Sequence, residues 1–465
     1  MSRNIQIDPV TRIEGHARVE VDLEGDTVKR SIMKVLDFRG FEAFLVGMQV
    51  EMMPMVTPRI CGTCPVTHLL ASSRAVDKVY GVTPPKAAWL LRNVMNLGAI
   101  LHSHGVHFFA LAGPDLLLGE DTPHGTRNIL TMLAKAPDVT KQALRLRTIG
   151  SEITEVVGGR GTHPVASVVG GMAQPLSEER HKKLISLVDE AVPLAIKLYE
   201  FAKPALESQA ERLASLPLET HYLGTVSDGA LDLYEGELRL QSPDGAVETF
   251  AEDDWEKHIR EDVVSGSYGK HVFAVKDGAT IPYRVGPLAR INCADTISTP
   301  RANEELKAFQ EKWGKPCHQT VMYNMARLIE LVYAAEGLAE LVRDPELVSQ
   351  EVRTVPTATP KSACAHVEAP RGVLVHDYKV DENGIVTGAN LLVATQQNLS
   401  SINETIGLAA RRYQDSPDEV LLNEIEFSIR CYDPCLSCAT HRYGDMKLEV
   451  TVRRNGELFR TLRRR

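Results

Sequence analysis

Two short cysteine motifs, far apart in the chain, carry the residues best suited to metal chemistry. Residues 59–68 read RICGTCPVTH and residues 433–441 read DPCLSCATH, so each motif holds two cysteines separated by two residues and then a histidine. Such a pair can place both sulfurs on one metal ion or on two adjacent ions. Soft thiolates select zinc, nickel, copper or iron over magnesium and calcium. The predicted metal ligands are Cys61, Cys64, Cys435 and Cys438.

The distance between the motifs leaves three kinds of metal site open. Structural zinc sites usually have their second cysteine pair a dozen or two residues after the first, whereas these two pairs lie at opposite ends of the chain. A chain of 465 residues can bury a large core and needs no metal in order to fold. On spacing alone, structural zinc, an iron–sulfur cluster and a catalytic metal are equally good interpretations.

Five stretches taken together resemble the signatures of the [NiFe]-hydrogenase large subunit. Beside the two cysteine motifs, these are DPVTRIEGH at 8–16, FRGFEAFLVG at 38–47 and VEAPRG at 367–372. They follow the family's order from the N-terminus to near the C-terminus. The resemblance implies reversible heterolytic cleavage of H2 at a nickel–iron centre whose iron also carries carbon monoxide and cyanide.

The resemblance also assigns a role to each thiolate of that centre. Cys61 and Cys435 match the terminal ligands of nickel, and Cys64 and Cys438 match the ligands that bridge nickel and iron. His68 matches a donor of a hydrogen bond to a bridging sulfur, which is a supporting role rather than that of a ligand.

Four further residues match positions around the metals. Arg371 would stand over their open face as a permanent positive charge, although an ordinary ion pair with Glu368 is the alternative. Asp433 would orient Arg371, and Thr395 would donate its hydroxyl to cyanide. Glu14 would move protons away from the nickel-bound cysteine; the alternative for a lone glutamate is a surface carboxylate.

A second metal site is implied behind the first. The resemblance predicts a Mg²⁺ ion bound by the Glu42 carboxylate, the backbone carbonyl of Leu391 and the His441 ring. Oxygen ligands and water suit this ion, whereas the histidine ligand rests on the resemblance alone.

Other potential ligands are predicted to be structural. His102, His104 and His107 lie in one predicted helix, but no carboxylate or thiol accompanies them at matching spacing. The remaining cysteines occur singly and are interpreted as packing residues: Cys293, Cys317, Cys364 and Cys431. Since single cysteines cannot hold an electron relay, the resemblance implies a partner small subunit that carries iron–sulfur clusters.

The amino-acid sequences of two motifs predict the electron acceptor. DPCLSCATH and ATQQN are most similar to the cytoplasmic, bidirectional branch, which works with diaphorase subunits that bind flavin and NAD(P). The chain has no G-x-G-x-x-G after a strand, so the nicotinamide would bind to a partner. The alternatives are coupling to a deazaflavin or a heterodisulfide reductase, and a hydrogen-sensing regulatory subunit. Because all four cysteines are present, a quinone-pocket subunit of a respiratory complex is disfavoured.

The charge and the distribution of apolar residues disfavour a nucleic-acid-binding protein, a membrane-spanning protein and a secreted protein. The net charge is −9, which does not favour a nucleic-acid partner. No run of apolar residues is long enough for a membrane span, and the N-terminus lacks the apolar stretch of a secretory signal. We therefore expect a cytoplasmic protein.

The elements that must position these residues are predicted from periodicity. Alternation predicts strands in 4–38, and three- and four-residue spacing predicts helices through most of 40–213, with Ser177 as a helix cap. Helices are predicted again in 302–342 and near 417–430. The resulting class is α+β, a single large catalytic domain over residues 1–465 with a mainly helical core and peripheral strands.

Strands dominate the other segments. Residues 218–300 are predicted to form a peripheral β-containing lobe, and residues 372–395 two strands around an Asn383-Gly384 turn. The tail is predicted to be a hairpin that turns at Asn455-Gly456. The resemblance implies that residues 442–465 are an extension that a protease removes after nickel insertion.

Overall fold

A computed structural model of the chain describes residues 2–118, 122–440, 448–454 and 457–464. The strands are β1 Ser2–Ile7, β2 Ala17–Glu24, β3 Thr27–Val35, β4 Ser167–Val168, β5 Gly171–Met172, β6 His221–Ser227, β7 Ala230–Leu231, β8 Glu237–Gln241, β9 Val247–Phe250, β10 Ile259–Asp262, β11 His271–Lys276, β12 Ala279–Ile281, β13 Tyr283–Arg284, β14 Ala363–Ala369, β15 Gly372–Val380, β16 Val386–Leu392, β17 Leu448–Arg454 and β18 Glu457–Arg464. The helices are α1 Phe41–Leu45, α2 Met53–Val56, α3 Pro65–Val79, α4 Lys86–Val106, α5 Gly113–Leu117, α6 Ile129–Lys135, α7 Pro137–Gly158, α8 Glu178–Glu207, α9 Ala210–Leu213, α10 Trp255–His258, α11 Pro287–Cys293, α12 Pro300–Trp313, α13 Tyr323–Leu341, α14 Ala394–Arg412, α15 Asp418–Tyr432 and α16 Leu436–Ala439.

The long helices α4, α7, α8 and α13 pack against one another and form the main core. Helix α13 is buried on nearly all sides, as expected of a helix surrounded by protein. Helix α8 begins where the sequence predicts, since the Ser177 side chain accepts a hydrogen bond from the backbone N–H of Arg180. A π-helical segment, His107–Ala112, joins α4 to α5.

Two antiparallel sheets support the segments that carry the cysteines. The sheet β1–β2–β3 contains the strands predicted in 4–38, and β2 alternates buried and more exposed residues. The sheet β14–β15–β16 contains the two strands predicted around the Asn383-Gly384 turn. Helix α3 packs on β14 and β15, so the first cysteine motif lies against this sheet.

Residues 218–300 contain strands, as predicted, in two small sheets. The order is β13–β6–β8–β9 with β7 paired to β6 in one sheet, and β10–β11–β12 in the other. Their apolar residues share a core with the sheet β14–β15–β16; Leu238 and Val272, for example, belong to the same cluster as Val375. This segment therefore packs directly on the sheet β14–β15–β16.

The predicted helix over residues 40–53 is largely wrong. Only Phe41–Leu45 is α-helical before Gly47 interrupts the helix at φ 90°, and several of the apolar residues face outward. In the tail, β17 and β18 pair antiparallel, but the predicted Asn455-Gly456 turn lies outside the described residues. Within the described part of the chain, no helix combines the length and the hydropathy needed to cross a bilayer.

Candidate metal centre

The four cysteines predicted to bind metal lie together in the folded chain. The sulfurs of Cys61, Cys64, Cys435 and Cys438 are all within 4.8 Å of one another, and all four residues are buried. Sγ of Cys61 lies 3.2 Å from Sγ of Cys435, and Sγ of Cys64 lies 3.2 Å from Sγ of Cys438. These separations are longer than a disulfide bond of about 2.05 Å, so we refer to the group as the thiol quartet.

Local structure places the first pair at the start of a helix. Cys61 follows a 3-10 turn, Thr57–Ile60, in extended backbone, and Cys64 is the N-cap of α3. Pro65 begins this helix, a position where its missing N–H is not needed. The positive end of the α3 dipole therefore points toward the Cys64 sulfur, which favours a thiolate there.

A tight turn places the second pair. Helix α15 ends at Tyr432, and its C-cap Asp433 has a φ of 56°, in the left-handed region that aspartate tolerates better than most residues. The chain then runs beside the N-terminal segment, where the backbone of Glu14 bridges that of Cys435. A Cβ on Gly15 would lie 2.6 Å from the Cβ of Leu436, so only glycine allows this approach.

The quartet divides into sulfurs of opposite acidity. Hydrogen bonds from Cys435 and Cys438, with the charge of Arg371 adding to them, hold the pKa of Cys61 well below its usual range. Hydrogen bonds from the same two cysteines lower the pKa of Cys64 to about 7. Burial raises the pKa of Cys435 and of Cys438. The site thus favours thiolates at Cys61 and Cys64 and thiols at Cys435 and Cys438.

Arg371 pairs with Asp433, not with the alternative partner Glu368. Its Nε donates to the backbone carbonyl of Asp433 at 2.6 Å, and its Nη2 lies 3.0 Å from the Asp433 Oδ1. Burial lowers the pKa of Arg371, but Asp433 and the thiolates outweigh that effect and raise it well above its ordinary value. Nη1 of Arg371 and Oδ2 of Asp433 are buried without a hydrogen-bond partner among the described residues.

A second buried arginine fixes the loop that carries Arg371. Arg290 donates to Glu368 Oε2 at 2.8 Å, to the carbonyls of Ala369 and Pro370, and through Nε and Nη2 to Glu330. After Arg371, a Cβ at Gly372, where φ is 133°, would lie about 2.6 Å from Val285 atoms. Nothing in the local sequence pattern signals Arg290 or Glu330, because their partners lie on other elements.

Three polar side chains contact the quartet directly or through its backbone. The Thr395 hydroxyl accepts the N–H of Cys435 at 2.9 Å, and Nε2 of His68 lies 3.5 Å from Sγ of Cys438. Thr63, which the sequence analysis did not single out, places its hydroxyl 3.0 Å from Sγ of Cys61. A small cavity opens here, lined by Cys64, Thr67, His68, Ala369, Arg371, Leu374, Val393, Ala394, Thr395, Cys435 and Cys438.

Glu14 is held beside the second cysteine pair. Its carboxylate accepts the backbone N–H of Ser437 at 3.0 Å and also the Ser437 hydroxyl, and its backbone carbonyl accepts the N–H of Leu436. Glu14 is half-buried rather than fully exposed, so it lies between the quartet and the surface.

The structure places two of the three predicted Mg²⁺ ligands together. A Glu42 oxygen accepts the backbone N–H of Leu391 at 3.1 Å, and Lys270 lies 3.3 Å from both Glu42 and Glu261. Burial raises the pKa of Glu42, while Lys270 opposes that effect. Two carboxylates and one ammonium leave a surplus negative charge. The third predicted ligand, His441, lies outside the described residues.

Two of the histidines predicted to be structural, His104 and His107, are buried in the helical core, and His102 is half-buried. His104 Nε2 lies 2.8 Å from Glu330, and His107 Nε2 lies 2.6 Å from the carbonyl of Arg430. Burial lowers the pKa of His102 and of His104 to about 4, and that of His107 well below its usual value. The four single cysteines are buried, and burial raises the pKa of each: Cys293, Cys317, Cys364 and Cys431.

The donor set fits soft transition-metal ions. Four thiol sulfurs supply enough ligands for a tetrahedral zinc, and they serve equally well as ligands of nickel or iron. The guanidinium of Arg371 lines the same cavity with Nη1 unpartnered among the described residues, so it can donate to an anionic ligand bound there.

The sequence matches a family described as Nickel-dependent hydrogenase over residues 39–118 and 278–441, and a family described as HoxL-like over residues 4–38. One relative, from the F420-non-reducing hydrogenase vhc of Methanococcus voltae, is 38% identical, with 98% of this chain and 99% of the relative covered. The beta subunit of the NAD-reducing hydrogenase HoxS of Cupriavidus necator is 36% identical, with 97% of each covered.

Solved structures of hydrogenases also superpose on this chain. An NAD+-reducing [NiFe]-hydrogenase in the H2-reduced state superposes with a TM-score of 0.89 at 35% identity, covering 94% of this chain and 99% of that one. The Ni-Fe-Se hydrogenase from D. vulgaris Hildenborough superposes with a TM-score of 0.76 at 25% identity, covering 95% and 100%.

Proposed function

This chain belongs to the nickel-dependent hydrogenase family, and we propose that it is the catalytic large subunit of an enzyme that reversibly cleaves H2 into two protons and two electrons. The observation that carries the proposal is the convergence of four buried sulfurs beneath the guanidinium of Arg371. A nickel–iron centre with carbon monoxide and cyanide on iron would supply the redox chemistry when bound there. Cys61 and Cys435 would hold nickel, and Cys64 and Cys438 would bridge the two metals.

The side chains around the quartet would orient and polarise what binds there. Arg371 holds a fixed positive charge toward the cavity because Asp433 accepts two of its hydrogen bonds and leaves Nη1 free to donate. The Thr395 hydroxyl already accepts from the Cys435 N–H, so its own proton is available to a diatomic ligand. His68 would support a bridging sulfur.

Glu14 would carry the proton. Its backbone lies beside Cys435, and the two hydrogen bonds from Ser437 hold its carboxylate in one orientation between the quartet and the surface. A positioned carboxylate can accept a proton from a neighbouring group and release it outward. We propose Mg²⁺ at Glu42, Leu391 and His441, where the surplus negative charge suits a cation.

The electrons would leave through a partner small subunit with iron–sulfur clusters. The cysteines outside the quartet are scattered and buried, so they do not form a second cluster among the described residues. Five large apolar side chains in the segment that leads into Cys61 are 40–57% exposed: Phe38, Phe44, Val46, Met52 and Met55. Exposed apolar side chains concentrated in one short segment are consistent with a protein interface, and we propose that the small subunit covers them.

NAD(P) is the acceptor we propose, through diaphorase subunits that bind flavin. The superposition at a TM-score of 0.89 on an NAD+-reducing enzyme supports this choice. A different acceptor is the second candidate, because relatives with 38–41% identity are called F420-non-reducing. That name speaks against the deazaflavin F420 and leaves a heterodisulfide reductase as the alternative. Cytoplasmic location and removal of residues 442–465 stay predictions.

The test is hydrogen-dependent reduction by the complex purified with its partners. We expect rapid reduction of a viologen dye and of NAD+ or NADP+ in the wild type, and none in Cys435→Ser. Cys364→Ser, a buried cysteine outside the quartet, is the matched control and should keep its activity. Full activity in Cys435→Ser would refute the ligand assignment, and slow turnover in the wild type would favour the hydrogen-sensing subunit.

A further inference from the structure

A line of hydrogen bonds leads from the quartet into the protein. His68 contacts Sγ of Cys438 through Nε2, and its Nδ1 lies 3.1 Å from Nε2 of His376. Nδ1 of His376 lies 2.7 Å from the Tyr378 hydroxyl, which lies 3.0 Å from Oγ of Ser72. His68 is 1% exposed and the other three residues of the line are 0% exposed. We call these four residues the histidine line.

The packing of one helix on one strand builds the histidine line. His68 and Ser72 are four residues apart on α3, so they share a face of the helix. His376 and Tyr378 are two residues apart on β15, so they share a face of the strand. Because α3 packs on β15, two residues from each element join in a single line.

The sulfur at one end fixes the direction of the hydrogen bonds from His68 to Tyr378. A metal-bound thiolate only accepts, so His68 must donate from Nε2. A neutral imidazole has one donor and one acceptor, so Nδ1 of His68 accepts from Nε2–H of His376. Nδ1 of His376 then accepts the hydroxyl proton of Tyr378, so in this arrangement that proton is not donated to Ser72, whose Oγ lies 3.0 Å from the Tyr378 oxygen.

We propose that His376 is a positioning residue for the hydrogenase reaction, an inference that rests on the proposed function. Its Nε2–H holds the His68 ring in the orientation and tautomer that direct Nε2–H at the Cys438 sulfur. The Tyr378 hydroxyl polarises that bond from behind by donating to Nδ1 of His376. Since all four residues of the line are buried and its far end is a serine, the line orients the donor instead of exporting protons.

Infrared spectroscopy of the metal-loaded complex tests the role of His376. In His376→Leu the His68 ring loses its donor, and the sulfur loses its hydrogen bond and gives more charge to iron. We therefore expect the band of iron-bound carbon monoxide to shift to lower wavenumber. His376→Gln, whose amide can donate to His68, should keep the wild-type band. Ser72→Ala should keep it too, because the Tyr378 hydroxyl still points to His376.

Two results would overturn the inference: an unshifted band in His376→Leu, or an equal shift in His376→Leu and His376→Gln. Melting temperatures of all variants separate loss of folding from loss of orientation. If the wild type shows no carbon monoxide band, the proposed function fails, and a second experiment still tests the line.

The second experiment reads the tautomer without nickel or iron. In the full-length chain loaded with zinc, the quartet sulfurs are thiolates and the site is diamagnetic. Imidazole ¹⁵N spectra of histidine-labelled protein should show His68 protonated at Nε2 only and His376 protonated at Nε2 only. Protonation of His68 at both nitrogens, or at Nδ1 alone, would contradict the proposed direction of the line.

Discussion

The sulfurs of Cys61 and Cys435 lie 3.2 Å apart although 374 residues separate the two cysteines in the sequence. The site is therefore complete only when both ends of the chain have folded together. An ion that binds the assembled quartet but not the unfolded chain stabilises the fold by mass action. Metal insertion and final folding are thus expected to be coupled in this protein.

Replacing Glu14 with glutamine should stop proton transfer without emptying the site. The amide oxygen can still accept the backbone N–H of Ser437 and the amide NH2 can donate to the Ser437 hydroxyl, but the amide does not titrate. We expect hydrogen-dependent dye reduction to fall by at least about 100-fold, with metal content unchanged. Glu20→Gln, an acid on neighbouring β2, is the control and should be near wild type. Unimpaired turnover in Glu14→Gln would rule out the relay role.

Arg371→Lys should retain the charge but lose activity. A lysine ammonium cannot donate to two Asp433 oxygens and to the cavity in the fixed geometry of a guanidinium. We expect a fall of about 100-fold in turnover, and a similar fall in Asp433→Asn. Arg59→Lys, at an exposed position near the quartet, is the control. If Arg371→Lys matches that control, the side chain has only a structural role.

The stability of the fold should fall with acid in a way that depends on His104. Burial lowers the pKa of His104 to about 4, whereas in the unfolded chain it is about 6.5. Above pH 6.5 the stabilisation is complete; below it the unfolded state takes up the proton first, so stability is lost down to pH 4. The loss amounts to about 3 kcal/mol. Urea unfolding from pH 7 to 4.5 measures it.

The control for this pH dependence is a histidine on the surface. His16 is exposed, so His16→Gln should keep the wild-type slope of unfolding free energy against pH. His104→Gln should have a shallower slope between pH 6.5 and 4. Equal slopes in the wild type and His104→Gln would show that this ring is protonated, or accessible to protons, in the folded state.

Phe44→Asp should weaken the complex with the small subunit. Phe44 is 57% exposed in the segment that leads into Cys61, and a charge there would be desolvated in the complex. We expect less small subunit to copurify, with the melting temperature of the large subunit unchanged. Val247→Asp, which is 55% exposed on β9, is the control. Equal yields of complex from both variants would place the interface elsewhere.

The cysteine quartet and the alternating strands could be predicted because their signals are local. The two motifs are short and specific, and β2 alternates because one of its faces is buried. Helix α14 was not predicted. Its buried side includes Gln396, Gln397 and Asn398, so its first turn carries few apolar residues to signal a helix. These side chains bond to distant backbone and side-chain groups, such as the carbonyl of Val373, which no local pattern reveals.

Strand β14 was missed for the same reason. It buries His366 and Glu368, which looks unfavourable until the partners are known. Glu252 accepts from the backbone and the ring of His366, and Arg290 pairs with Glu368. The supports of the site, including His376 and Arg290, could not be predicted from the sequence because each depends on a contact between separate elements.

The most direct test of the central claim is the metal content of the purified complex, corrected for the iron of the small subunit and expressed per large subunit. Our account predicts one nickel and one additional iron, both lost in Cys61→Ser and Cys435→Ser and retained in Cys364→Ser. One zinc without nickel, or iron without nickel, would contradict it.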